Sequence, residues 1–147
     1  MLLATTACSA SESFPVVHTE AIALRVLDGK DGKPQPYAHI VLVAGYNKSD
    51  LGVGLWREEA LTDSEGMVRL SNTLKNLPFL RVEALKRHSC QIDADQAAFS
   101  VDLIRRDGLS AANRCGTAVS ADVPGVFTVF VKPAKVSKKG SAAVAIP

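Results

Sequence analysis

From residue 24 to residue 85, apolar side chains recur at every second position in short runs separated by Gly, Asp and Pro. Ile22, Leu24 and Val26 share one face of such a run, and Ala38, Ile40 and Leu42 share one face of the next. Leu80, Val82 and Ala84 alternate with Arg81 and Glu83 in the cleanest case. A period of two is that of a strand half buried against a core, whereas a helix would scatter these residues around its circumference. The punctuation is turn chemistry. Asp28-Gly29-Lys30-Asp31-Gly32-Lys33-Pro34 follows the first run: glycine admits positive φ and proline cannot donate to a ladder. Thr62-Asp63-Ser64-Glu65-Gly66 marks a hairpin, with Gly66 at the left-handed position. The expectation is an all-β chain, folded as an antiparallel β-sandwich of about seven strands with one short helix.

The pattern places strands over residues 21–27, 37–43, 56–62, 67–70, 79–85 and 126–132, with a loop at 45–54. The single helix is expected over Val101–Asp107, where Ser100 can accept a backbone N–H and Gly108 stands where helices stop. Three regions follow: a leader and tether at 1–20, the sandwich at 21–133, and a flexible Lys/Ala-rich tail at 134–147. At 147 residues the chain suffices for one domain, which at that size buries roughly 70% of its unfolded surface.

Charge argues against one class of partner. Of 17 basic residues, four (Lys132, Lys135, Lys138, Lys139) stand at or beyond the last strand, leaving 13 against 15 acidic ones in the body. A nucleic-acid binder carries its basic surface on the fold itself, so no nucleic-acid partner is expected. The terminal lysines can attract anionic headgroups, but solubility is the simpler account.

The cysteines bear on compartment. Cys8, Cys90 and Cys115 form no Cys-x-x-Cys pair and have no zinc-ligand spacing with histidine. Two readings stand: three free thiols, or a Cys90–Cys115 disulfide with Cys8 left over. The disulfide is preferred here; it would stabilise the fold by about 3–4 kcal/mol in the chain-entropy picture. Such a bond persists in an oxidising compartment.

The N-terminal Met1-Leu2-Leu3-Ala4-Thr5-Thr6-Ala7-Cys8 is apolar, small and uncharged. It lacks the basic segment and the full apolar run of a secretory signal. Thr5-Thr6-Ala7-Cys8 resembles a bacterial lipoprotein cleavage site, departing from it at Thr5, where leucine is usual. A start placed too far downstream would account for both departures. Lipidation of Cys8, cleavage of a soluble export signal and retention as an intracellular tail are the three outcomes this segment allows. No run reaches the ~18 apolar residues of a spanning helix.

Val26-Leu27-Asp28, then Gly32-Lys33-Pro34, Ala38, Ile40 and Leu42, then Thr62-Asp63, Gly66 and Leu70, resemble the carboxypeptidase-regulatory/transthyretin-like sandwich group. The resemblance covers roughly residues 21–90, and the segment from Phe99 to Pro133 is similar to the end of small exported bacterial proteins of unassigned function. Those proteins carry a cysteine near each of the positions of Cys90 and Cys115. The group implies an Ig/transthyretin-like sandwich and little about activity, since one fold hosts many functions. Its 5-hydroxyisourate hydrolases end the first strand in His-Val-Leu-Asp and the chain in Tyr-Arg-Gly-Ser. Here Arg25-Val26-Leu27-Asp28 and Ala145-Ile146-Pro147 stand instead, so a permanently charged guanidinium replaces an imidazole that exchanges protons. Intradiol dioxygenases use a related sandwich with two Tyr and two His on iron. Tyr37 and Tyr46 are the only tyrosines, and the histidines show no matching arrangement.

Individual residues read mostly as architecture. His18, His39 and His88 are far apart in sequence and suit structural or surface positions. Asp28 and Asp31 bracket glycines as calcium loops do, yet residues 35–39 lack the glutamate an EF-hand places at its twelfth position. Asp63 and Glu65 belong to a solvated turn, Trp56 suits a core or loop anchor better than a sugar platform, and Asn47-Lys48-Ser49 matters as a glycan acceptor only in a eukaryotic secretory route. No catalytic residue, cofactor or metal is expected. The functional expectation is an exported, non-catalytic binding or structural module of the bacterial cell envelope, with an envelope protein or glycan as partner and membrane-surface anchoring through Cys8. Two alternatives are an accessory domain of a larger transporter or peptidase system, and a hydrolase or isomerase whose His39, Asp63 and Glu65 converge in one pocket.

Overall fold

Alternation decides the layers. In the computed structural model, which describes residues 21–54, 56–85, 87–91 and 98–133, the strands form two sheets facing each other across an apolar interior. Cys8, His18 and the expected leader, and likewise the expected tail from residue 134, lie outside the described residues.

One sheet joins β1 (Ala23–Asp28), β4 (Met67–Arg69), β6 (His88–Ser89), β8 (Leu109–Ser110) and β9 (Val126–Lys132). Its order is β4-β1-β9-β6, with β8 also on β9. The other runs β3 (Trp56–Leu61), β2 (His39–Gly45), β5 (Phe79–Ala84), β7 (Phe99–Ser100). Helices α1 (Lys48–Val53), α2 (Asn72–Lys75) and α3 (Val101–Asp107) lie between strands.

Leu24 and Val26 of β1 and Phe127, Val129 and Val131 of β9 meet Ile40 and Leu42 of β2 and Leu80 and Val82 of β5 in one buried cluster. Removing each such side chain from water stabilises the fold by about 1.5–3 kcal/mol. Strand β2 is buried on both faces, because Val41 and Val43 pack on the outer side with Leu51 of α1 and with Phe79, Leu85 and Ala98. The sequence carries apolar residues on both sides of this strand, Ile40 and Leu42 on one and Val41 and Val43 on the other.

Three expectations are corrected. Nine strands are described rather than about seven, the additions being the two-residue β6, β7 and β8, too short to display a period. Three helices replace one; α1 occupies the expected loop at 45–54, and both α1 and α2 are too short for a 3.6-residue repeat to show. Most pairings are antiparallel, but β1–β9 and β8–β9 are parallel. The first and last strands are neighbours in space only, so nothing local in the sequence records their relative direction.

The open edge at β3 is guarded. Arg57 and Glu59 flank it outwardly, while Glu58 stands on the core-facing side and accepts from Ser71 Oγ at 2.7 Å. Charges on an edge strand, one of them inward, oppose pairing with another chain.

Candidate functional site

Two short helices shape one concavity. Ser71 caps α2, its Oγ accepting from the Leu74 amide, and Ser100 caps α3 by the same device at Leu103. Leu74, Val101 and Ile104 are sunk completely into the core and pin both helices to it. The polar sides of the helices then face one groove of about 540 Å³, lined by Asn72, Lys75, Asn76 and Arg105.

Arg105 is held from two directions. Its Nη1 donates to Asp102 Oδ1 at 3.0 Å, one turn back on α3, and its Nη2 donates to the Lys75 carbonyl at 2.7 Å. That carbonyl is among those a helix leaves without an internal partner at its end, so the guanidinium completes α2 and is oriented by doing so. Its neighbour Arg106 is engaged elsewhere: Asp107 accepts from it at 3.0 Å and raises its pKa above the usual arginine range. Lys75 makes no ion pair among the described residues.

A second feature lies on the outer face of the β1–β9 sheet. Residues 111–125 cross it as a strap, stapled by the Cys90–Cys115 disulfide. Asn113 Nδ2 donates to the carbonyls of Gly29 and Ala118 at 2.7 and 2.9 Å, and the Arg114 amide donates to the Cys90 carbonyl. Leu27, Phe130, Cys90, Cys115 and Ala118 form a small apolar cluster beneath the strap. A cavity of about 280 Å³ opens beside it, lined by Ser110, Thr117, Ser120 and Phe130 among others.

The residues singled out from sequence are dispersed. His39 Nε2 stands 3.6 Å from Glu59 on an outer sheet face. Asp63 Oδ1 accepts the amides of Glu65 and Met67 in the β3–β4 turn. Neither cavity is lined by His39, Asp63 or Glu65. His88 sits in β6 at the sheet edge. Asp28 and Asp31 accept the amides of Lys30 and Lys33, the bonds of an Asx turn. Asn47 caps α1 in a capping box with Asp50. Trp56 packs against the main core and meets Tyr46 edge-on at 5.3 Å.

Among the described residues, no group of three His, Cys, Asp or Glu could hold a metal ion, and no helix is long and apolar enough to cross a membrane. Sequence reasoning missed Asn72, Lys75, Asn76 and Arg105. The usable signal was the cap Ser71 three residues before Leu74, which marks a helix start without needing a period. Comparison with known proteins finds no matching family model, no matching curated protein and no matching solved structure.

Proposed function

We propose that this chain is an exported binding module of the bacterial cell envelope, built on an Ig/transthyretin-like sandwich related to the carboxypeptidase-regulatory group. One observation carries the reading: Cys90 and Cys115 are joined, and their bond staples the strap to the sheet. A structural disulfide of this kind persists where the surroundings are oxidising. The resemblance adds support, since Val26-Leu27-Asp28 ends β1 and Thr62-Asp63 with Gly66 forms the β3–β4 turn. Binding suits a rigid frame that holds polar side chains in an open groove. Cys8, where lipidated, would tether the module to a membrane surface.

The test is made in the producing cell. Cells are fractionated, and free thiols are alkylated under denaturing conditions before and after reduction. The expected result is recovery in the envelope or outside the cell, with Cys90 and Cys115 reacting only after reduction. Recovery in the cytosol with both thiols reactive beforehand overturns the reading. Mass spectrometry of the mature N-terminus then separates a lipidated Cys8 from a cleaved, soluble form.

A further inference from the structure

We infer that the groove between α2 and α3 binds an acidic saccharide unit, a sugar ring carrying a carboxylate. This deepens the binding-module reading and rests on it. The lining supplies the two kinds of group such a ligand needs. Arg105 offers a planar guanidinium whose fork matches a carboxylate, and two of its five N–H groups are occupied by Asp102 and the Lys75 carbonyl. Because those two bonds fix the guanidinium, its remaining donors are presented without further ordering. Lys75 adds a second positive charge with no ion-pair partner among the described residues.

Among the described residues, Asn72 and Asn76 make up the rest of the lining. Each carboxamide both donates and accepts, which is the complement of a ring hydroxyl that does the same. The nearby acid, Asp102, is turned to solvent with 84% of its side chain exposed and serves one of the two cations. Among the described residues the groove therefore keeps a net positive character. Its volume of about 540 Å³ falls within the ~300–1,000 Å³ of small-molecule sites. The described lining is made of amide and cationic side chains, so a neutral or greasy ligand would strip water from these groups without replacing their hydrogen bonds.

The experiment titrates the oxidised, 15N-labelled full chain at low ionic strength with sodium D-glucuronate, D-glucose and inorganic phosphate, followed by NMR. Glucuronate is expected to move the amides of residues 72–76 and 102–106 and the Arg105 Nε–H resonance in a saturable manner. Glucose and phosphate are each expected to bind about tenfold more weakly, for want of one charged hydrogen bond or of the hydroxyl contacts. Lys75→Gln removes a charge that forms no ion pair among the described residues and is expected to weaken glucuronate binding about tenfold with an otherwise unchanged spectrum. Arg105→Lys keeps the charge, loses the fork and should weaken it as well.

Saturable shifts confined to another surface would overturn the site while leaving the binding-module reading in place. Equal binding of phosphate, or of glucose, would overturn the ligand class in favour of a bare anion or a neutral sugar. No saturable shift with glucuronate overturns the inference altogether, and the fractionation and thiol test above then decides the module reading independently.

Discussion

Arg25 on β1 pairs directly across from Thr128 on β9, and its Nε and Nη2 both donate to Thr128 Oγ1, at 3.1 and 3.0 Å. The same guanidinium reaches Ser120 Oγ and the Ala121 carbonyl in the strap. The side chain therefore clamps the β1–β9 sheet to the strap. Arg25→Ala should lower the unfolding free energy by about 1.5–3 kcal/mol, the range for losing charged hydrogen bonds. Urea denaturation measures it. Arg25→His should recover little, because an imidazole is too short to reach Thr128 and Ser120 together.

Reduction of Cys90–Cys115 should have a larger effect. The bond closes a separation of 25 residues, for which the chain-entropy picture gives about 3.5 kcal/mol. The urea midpoint of the Cys90→Ser/Cys115→Ser double variant should fall accordingly, and the strap amides from residue 111 to residue 118 should exchange faster with solvent than those of β1. Equal exchange in both would mean that the strap is held by Asn113 and Arg25 without the staple.

The alternation of apolar residues was enough to place β1, β2, β3, β5 and β9 within about two residues, because a buried face forces the period of two on any strand. It also located α3, whose cap Ser100 and stop Gly108 bracket it. What remained hidden depends on distance along the chain or on shortness. The parallel contact of β1 with β9 joins residues about a hundred positions apart, and the β6, β7 and β8 pairs are two residues long. The groove was illegible for both reasons: Lys75 lies on a four-residue helix, and Arg105 reaches it across 30 residues.

Thr62 was legible as the end of the third strand and the start of its turn, but not as a buried residue that ties this turn to the connection before β2. Its Oγ1 accepts from the Ala38 amide at 2.8 Å and donates to the Gln35 carbonyl at 2.6 Å. Thr62→Val keeps the shape but strands a buried donor and removes the partner of an acceptor. The expected cost is about 1–3 kcal/mol, read as a lower thermal midpoint. Thr62→Ser keeps the hydroxyl and should cost less than the valine variant.

Two glycines should respond with opposite signs to the same added methyl group. Gly66 sits at φ +75° in the β3–β4 turn, and a Cβ there would come 2.8 Å from the Val26 carbonyl oxygen. That oxygen belongs to a backbone that cannot retreat without breaking the pairing of β1, so strain and clash add. Gly66→Ala should destabilise by about 1–3 kcal/mol. Gly52 lies inside α1, has nothing within 4 Å of its would-be Cβ, and has no positive φ. There the methyl group restricts the unfolded chain more than the folded one, so Gly52→Ala should stabilise by about 0.4–1 kcal/mol. Paired urea denaturation curves of the two variants check the signs. A destabilising Gly52→Ala would mean that α1 is not helical at that position in solution, and that the buried outer faces of Val41 and Val43 owe their cover to something other than Leu51.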